Sequence, residues 1–384
     1  MVPTHTPPAC RAIAMWDFSW LERRWPGAGY EDWDQALDEL AERGYNAVRI
    51  DAYPHLLYRD PTGEHELRPP WSVNDWGAPM RTRVRVLPAL TDFIAACAQR
   101  DIRVGLSSWY QRDSRDSWRA LCTPKVHALS WIRTLDVIRE AGLLDHILYL
   151  DLCNEWPLPN WAPFLYGQEW DCVTGAGPAS VTWDDPKALA WTREACERIR
   201  QDVPDMPLTF STQMQGDWSQ ATFCDFWEPH IWLPMGGDFN QRAGYSFNHR
   251  FDYSEYQNLQ ERAEPLYRAD PGHWQGQLRR VIDDMAATAR IHGKALMTTE
   301  CWGIVDYKDA PLLDWGWVKE LCALGAEHAA KSGGWVANAT SNFCGPQFVG
   351  MWRDVAWHQR LTKIIKSSPV TVPVPDILAK RLAG

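Results

Sequence analysis

The chain is short of positive charge. It sets 39 Lys and Arg against 49 Asp and Glu, for a net charge of −10. With no basic surplus to neutralise phosphates, nucleic acid is not an expected partner, and docking on an anionic membrane is disfavoured for the same reason. No stretch approaches 18 uninterrupted apolar residues, so no transmembrane helix is expected. The N-terminal stretch lacks a basic segment followed by an apolar run, so no signal peptide is expected and the compartment read from the sequence is the cytoplasm. The ten cysteines include no C-x-x-C pair, and Cys97, Cys153, Cys196, Cys301 and Cys322 fall in predicted helices or strands. That is the pattern of free thiols in a reducing compartment, not of a disulfide framework. Several catalytic signatures are also missing. There is no G-x-S-x-G elbow, no P-loop and no H-E-x-x-H, and His55, His127, His146, His230 and His292 form no ligand-spaced pair. The expectation is therefore no metal and no cofactor.

Tryptophan, in contrast, is abundant, at 24 of 384 residues. Its ring is large and rigid, with a face that stacks and an N–H that donates. Half of these residues can be assigned to a tryptophan-rich core. The others suit platforms for sugar rings, whose C–H faces are apolar and whose rims are polar. Trp71, Trp76, Trp109, Trp156, Trp161, Trp170, Trp183, Trp218 and Trp274 fall in predicted loops, where a core role is harder to argue.

Strand-like and helical patterns alternate along almost the whole chain. Predicted strands cover 12–17, 47–51, 102–107, 147–154, 208–212, 226–233, 295–299 and 334–337. Predicted helices cover 32–43, 88–100, 126–141, 186–200, 274–292, 312–331 and 353–366, with Gly44 and Gly142 closing the first and third. The segment after the fifth strand is too short for more than one helical turn. Eight strand–helix units with buried strands predict a parallel sheet, and eight close naturally into a single (β/α)8 TIM barrel spanning 1–368, followed by a tail over 369–384. An open dinucleotide-binding sheet needs a glycine-rich first turn; here that turn is Trp16-Asp17-Phe18-Ser19-Trp20. The loops after strands two, four and six are long and those on the opposite face short, which marks one working face at the C-terminal ends of the strands.

Two strings on that face carry the chemistry: Leu150-Asp151-Leu152-Cys153-Asn154-Glu155-Trp156 and Met297-Thr298-Thr299-Glu300-Cys301-Trp302. Each ends an apolar strand on a glutamate, and a carboxylate there needs partners or a job. Two carboxylates from separate strands are what cleavage of a glycosidic bond requires. In this reading Glu155 is the general acid and base, Glu300 the nucleophile, and Asn154 a hydrogen-bond partner of the sugar 2-hydroxyl. Arg49, inside Val48-Arg49-Ile50, needs an anion. The choice is Glu300, with a structural ion pair to Asp51 or Asp151 as the alternative. His230 either orients the nucleophile, binds a sugar hydroxyl or is a satisfied core residue. Glu228 is a rival carboxylate, although Pro229 after it suggests a structural turn. Asp17, Trp109, Trp156, Trp232 and Trp302 complete the expected substrate contacts.

These motifs resemble the retaining glycoside hydrolase clan with a (β/α)8 barrel, nearest to the cellulase-like branch around glycoside hydrolase family 5. Asn154-Glu155 matches the strand-four pair of that group, Thr299-Glu300 the strand-seven pair, and Arg49 the strand-two arginine. Where the group often has His-x-Tyr on strand six, this chain has His230-Ile231-Trp232. Where it often ends strand eight on a tryptophan, Trp335 falls at the start and Asn338, Ser341 and Asn342 follow, so either Trp302 or Trp352 replaces that platform or the subsite recognises a different sugar. The resemblance implies retention at the anomeric carbon, an oligosaccharide substrate and no cofactor. A non-catalytic carbohydrate-binding barrel and a transglycosylase are the competing readings.

Overall fold

A computed structural model describes residues 10–68, 81–166, 181–213, 216–246, 249, 252–305 and 314–383. Trp71, Trp76 and Trp170 lie outside the described residues. The strands are β1 (Arg11–Asp17), β2 (Ala47–Asp51), β3 (His65–Leu67), β4 (Thr82–Val84), β5 (Arg103–Ser107), β6 (Ile147–Asp151), β7 (Leu208–Thr209), β8 (Ser211–Thr212), β9 (Glu228–Pro229), β10 (Leu296–Thr298) and β11 (Trp335–Asn338). Seven of them form one curled sheet in the order β10-β11-β1-β2-β5-β6-β7, and its ladders are parallel.

The expected fifth strand is interrupted at Phe210 into β7 and β8, and the expected sixth is reduced to β9. The shortness of β9 has a physical cause, since Pro229 has no N–H to give to a ladder. β8 and β9 pair in parallel as a separate two-stranded sheet, and single parallel bridges join Trp227 to Leu296 and Ile231 to Cys301. The sheet is thus a seven-stranded curl with a short parallel pair beside it. In the long segment after β2 the described residues form the helix Pro54–Arg59 and the antiparallel pair β3–β4.

The helices follow local signals in the sequence. Asp32 caps Trp33–Glu42 by accepting from the N–H groups of Asp34 and Gln35, and Thr123 and Asp185 do the same ahead of Pro124 and Pro186. Gly44 and Gly142 follow their helices at positive φ. Residues 376–383, expected as tail, form the helix Asp376–Ala383, which buries Leu378 and Leu382 and offers the Leu382 carbonyl to Arg11.

The parallel ladders bring Asp17, Asp51, Ser107 and Asp151 to one end of the sheet, as the last residues of β1, β2, β5 and β6. Asn154, Glu155, His230 and Glu300 follow within four residues of β6, β9 and β10.

Candidate active site

Arg49 is the centre of the site. Its guanidinium is fully buried and clasps Asp17 through two bonds, Nε to Oδ1 at 2.9 Å and Nη2 to Oδ2 at 2.6 Å. Nη2 also donates to Asn154 Oδ1 at 2.7 Å and to Glu300 Oε1 at 2.8 Å. Nη1 donates to Thr299 Oγ1 at 2.8 Å and Glu228 Oε1 at 3.2 Å, and lies 3.7 Å from Asp151 Oδ2. One cation thus faces four buried carboxylates. The sequence reading expected one anion, Glu300, with Asp51 or Asp151 as alternatives. Glu300 and Asp151 are there, whereas Asp51 accepts the N–H groups of Tyr53 and Trp109.

Among the described residues, Glu155 is bound by donors alone. Trp161 Nε1 donates to Oε2 at 3.0 Å, Gln213 Nε2 donates to Oε1, and His230 Nδ1 lies 3.1 Å from Oε1. The histidine tautomer follows from its other neighbour. His230 Nε2 sits 3.3 Å from Arg49 Nη1, which can only donate, so Nε2 accepts and the ring proton is on Nδ1. That proton points at Glu155, while Glu300 Oε2 is 3.6 Å away.

Single atoms of Glu155, His230 and Glu300 all fall within 4.8 Å of one another. With its proton on Nδ1, the histidine acts in this arrangement as a hydrogen-bond donor to Glu155.

Burial pushes the pKa of Glu155 up, but the donors His230, Gln213 and Trp161 outweigh it and leave the group below the ordinary range. Burial and the neighbouring Glu155 charge drive Glu300 well above its ordinary value, with Arg49 opposing. Of the two, Glu155 is therefore the better anion and Glu300 the weaker acid, the reverse of what a resting general acid at Glu155 and a nucleophile at Glu300 call for. Arg49 reaches Glu300 as expected, but its charge is divided among four acids. The proton belongs to the pair as a unit.

The aromatic expectations divide. Trp109 Nε1 donates to Asp17, and its ring meets Trp161 edge-on at 4.5 Å, so both indoles stand beside the carboxylates. Trp156 does not join them. It stacks on Trp191 at 4.9 Å and packs against Phe164 and Phe210. Trp302 is also core, since its Nε1 donates to the Ala339 carbonyl and its ring lies against Gly325. Trp232 is buried next to a segment joined to the Glu300 strand, where Ile231 N–H donates to the Glu300 carbonyl. Trp352 donates to Glu39 on the helix Trp33–Glu42.

Gln213, Trp161 and Thr299 bind these groups without having been singled out for it, and Glu228, read as a rival carboxylate or a turn residue, is part of the cluster. Gln213 directly follows an expected strand on the working face, and that position was the signal that could have found it.

The profile described as sugar-binding cellulase-like matches residues 13–366. The chain belongs to the cellulase-like family. This cellulase-like chain is 50% identical to a protein of Parabacteroides distasonis assigned as a glycoside hydrolase, over 98% of this chain and 99% of that one, with a TM-score of 0.90. It shares its fold with a mutant form of a family 5 mannosidase of Rhizomucor miehei, at 10% identity, coverages of 99% and 96% and a TM-score of 0.53. It also shares it with the endo-β-1,4-mannanase of Thermotoga petrophila at 11% identity, coverages of 96% and 78% and a TM-score of 0.54. No curated protein matches the chain. Among the described residues, no helix is long and apolar enough to cross a membrane.

Proposed function

We propose that this cellulase-like protein hydrolyses β-glycosidic bonds of oligosaccharides with retention, on a barrel that β8, β9 and the two isolated bridges bring to eight staves. The observation that carries this reading is the spacing of Glu155 and Glu300, whose facing atoms fall within 4.8 Å. Retaining pairs stand about 5–5.5 Å apart, whereas inverting pairs need about 6.5–9.5 Å to admit a water.

In the first step a Glu300 oxygen bonds to the anomeric carbon, the bond from that carbon to the leaving oxygen breaks, and Glu155 gives that oxygen its proton. In the second step Glu155 takes a proton from water, whose oxygen bonds to the anomeric carbon and releases Glu300. The first step needs the pair's proton on Glu155. Among the described residues every hydrogen-bond partner of Glu155 is a donor, so its protonated form finds no acceptor among them and is suited to give its proton to a glycosidic oxygen. Substrate therefore draws the proton across the short gap from Glu300 to Glu155, and the positive charge developing on the sugar favours the carboxylate left behind. Asn154, with Oδ1 held by Arg49 and Nδ2 making no hydrogen bond among the described residues, is oriented to offer that N–H to a sugar hydroxyl. Exo action on short oligosaccharides fits carboxyl groups that are only 5% and 2% exposed. The nine described cysteines, all free, support a reducing compartment.

The test is a panel of aryl β-glycosides with wild type, Glu155→Gln and Glu300→Gln, with the anomer released followed by proton NMR. Both variants are expected to lose at least about 10³-fold in turnover, since general acid–base help alone contributes about 10²–10⁴. Undiminished hydrolysis by Glu300→Gln rejects its role as nucleophile. The family description, sugar-binding, also favours a non-catalytic carbohydrate receptor. Sugar binding by wild type without turnover on any glycoside would select that reading.

A further inference from the structure

Glu228 takes no part in the mechanism above, yet it shares Arg49 with the nucleophile. The guanidinium forks between them: Nη1 donates to Glu228 Oε1 at 3.2 Å and Nη2 to Glu300 Oε1 at 2.8 Å. Thr299, next to Glu300 in the chain, donates its hydroxyl to the same Glu228 oxygen at 2.5 Å. A second path leads to Glu155, because Arg49 Nη1 also faces His230 Nε2, and His230 Nδ1 faces Glu155.

The other Glu228 oxygen, Oε2, is fully buried and makes no hydrogen bond among the described residues. An ionised carboxylate with one oxygen bare of donors in a dry interior is costly, and the neutral acid avoids most of that cost. The charged and titratable groups facing Glu228 are Asp17 from β1, Arg49 from β2, Tyr149 and Asp151 from β6, and Glu300 after β10, while His230 after β9 faces Arg49. Arg49 is the cation among them, and it is already clasped by Asp17. Burial accordingly pushes Glu228 up to about 7, against the pull of Arg49.

We propose that Glu228 is a positioning residue for the protonation of the Glu155/Glu300 pair, neutral when the pair loses its first proton and charged by the time it loses its last. This rests on the proposed reaction, in which the singly protonated pair is the working form. A charge appearing on Glu228 above neutrality makes the last proton harder to remove, so activity extends further into alkali than the pair alone would allow.

The sign follows from which form is present at each limb of the pH profile. At the acid limb Glu228 is neutral, so Glu228→Gln removes no charge and the limb stays put. At the alkaline limb Glu228 is an anion, and the glutamine removes it, so the limb falls. A like charge felt across a shared arginine gives a shift of about half to one pH unit.

The experiment is the pH profile of kcat/KM for wild type and Glu228→Gln. The expected result is an unmoved acid limb and a lowered alkaline limb. A profile that does not move, or whose two limbs fall together, overturns the proposal: the first means the charge is not felt, the second that Glu228 is a permanent anion. If Glu228→Gln does not fold, Thr299→Val serves. It removes a donor from the Glu228 carboxylate, keeps that group neutral to higher pH, and lowers the alkaline limb alone by a smaller amount. If wild type turns over no glycoside, the reading of the reaction fails separately. Carbon-13 NMR titration of side-chain-labelled glutamate in the same variants then follows the pair's two proton losses directly, with the same one-sided shift expected.

Discussion

The residue on which the site turns is Arg49. Burying a guanidinium costs several kcal/mol unless its donors are all met. Here they are met by side chains from separate strands and loops, with a bidentate clasp on Asp17 as the firmest element. Lysine offers a point charge and no fork, and methionine offers neither. Arg49→Met should leave Asp17, Glu228 and Glu300 facing one another without a cation and lower stability by about 3–5 kcal/mol. Arg49→Lys should fall between that and wild type, with kcat/KM down at least about 100-fold. Chemical denaturation and steady-state kinetics check both. An Arg49→Met variant as stable as wild type would mean that the carboxyls take up protons and need no cation. That Arg49 needed an anion could be read from the sequence, because an arginine inside Ala-Val-Arg-Ile-Asp has nowhere dry to put its charge. Its full set of partners could not, since Asp17, Asn154, Glu228 and Glu300 are up to 251 residues away. The same holds for the indoles. Trp156, by loop placement, and Trp302, by the family resemblance, were expected as platforms, but both are drawn into core packing by aromatic and backbone neighbours that only the tertiary fold supplies.

Among the elements, the helices were the more legible. Those expected to stop at Gly44 and Gly142 do so, with both glycines at positive φ. The shorter units were not legible. β3 and β4 have three residues each, too few for a period to show, and the break at Phe210 depends on Ser211 turning its N–H and hydroxyl to Asp151. Packing between elements gives a sharper test. In the helix Gly316–Lys331, a Cβ on Gly325 would lie 2.7 Å from the Trp302 ring. In the helix Pro271–Ile291, a Cβ on Gly276 would meet only the end of the Arg280 side chain at 3.5 Å. Alanine improves helix propensity by about 1 kcal/mol at either position, and overpacking a buried interface costs about 1–3 kcal/mol. Gly276→Ala should therefore stabilise, and Gly325→Ala should destabilise by about 1 kcal/mol or more. Urea midpoints of the two variants decide it. A stabilised Gly325→Ala would show that the ring can slide away and that this helix does not fix the position of Trp302.

At the scale of the whole molecule, buried titratable groups outside and inside the site set how stability varies with pH. Burial pushes Glu22 up to about 8, and Asp51 and Glu228 up to about 7. Their unfolded values lie near 4, so between about pH 4 and 8 the folded protein holds protons that the unfolded chain has released. Stability falls as pH rises through that window. Burial also pushes His55 down to about 4 and His127 and His358 to about 3. The unfolded chain binds protons at these histidines below about pH 6.5 and the folded protein does not, so stability falls as pH drops from there. Above about pH 6.5 the acids act alone; below it the two sets oppose each other. The melting temperature should therefore be highest around pH 6 and several degrees lower at about pH 8. Thermal melts at matched ionic strength check this. An equal or higher melting temperature at the alkaline end would mean that the buried acids are already ionised in the folded protein. In that case the site would carry a larger negative charge than Arg49 and its hydrogen bonds can hold, and the one-sided response assigned to Glu228 would fail with it.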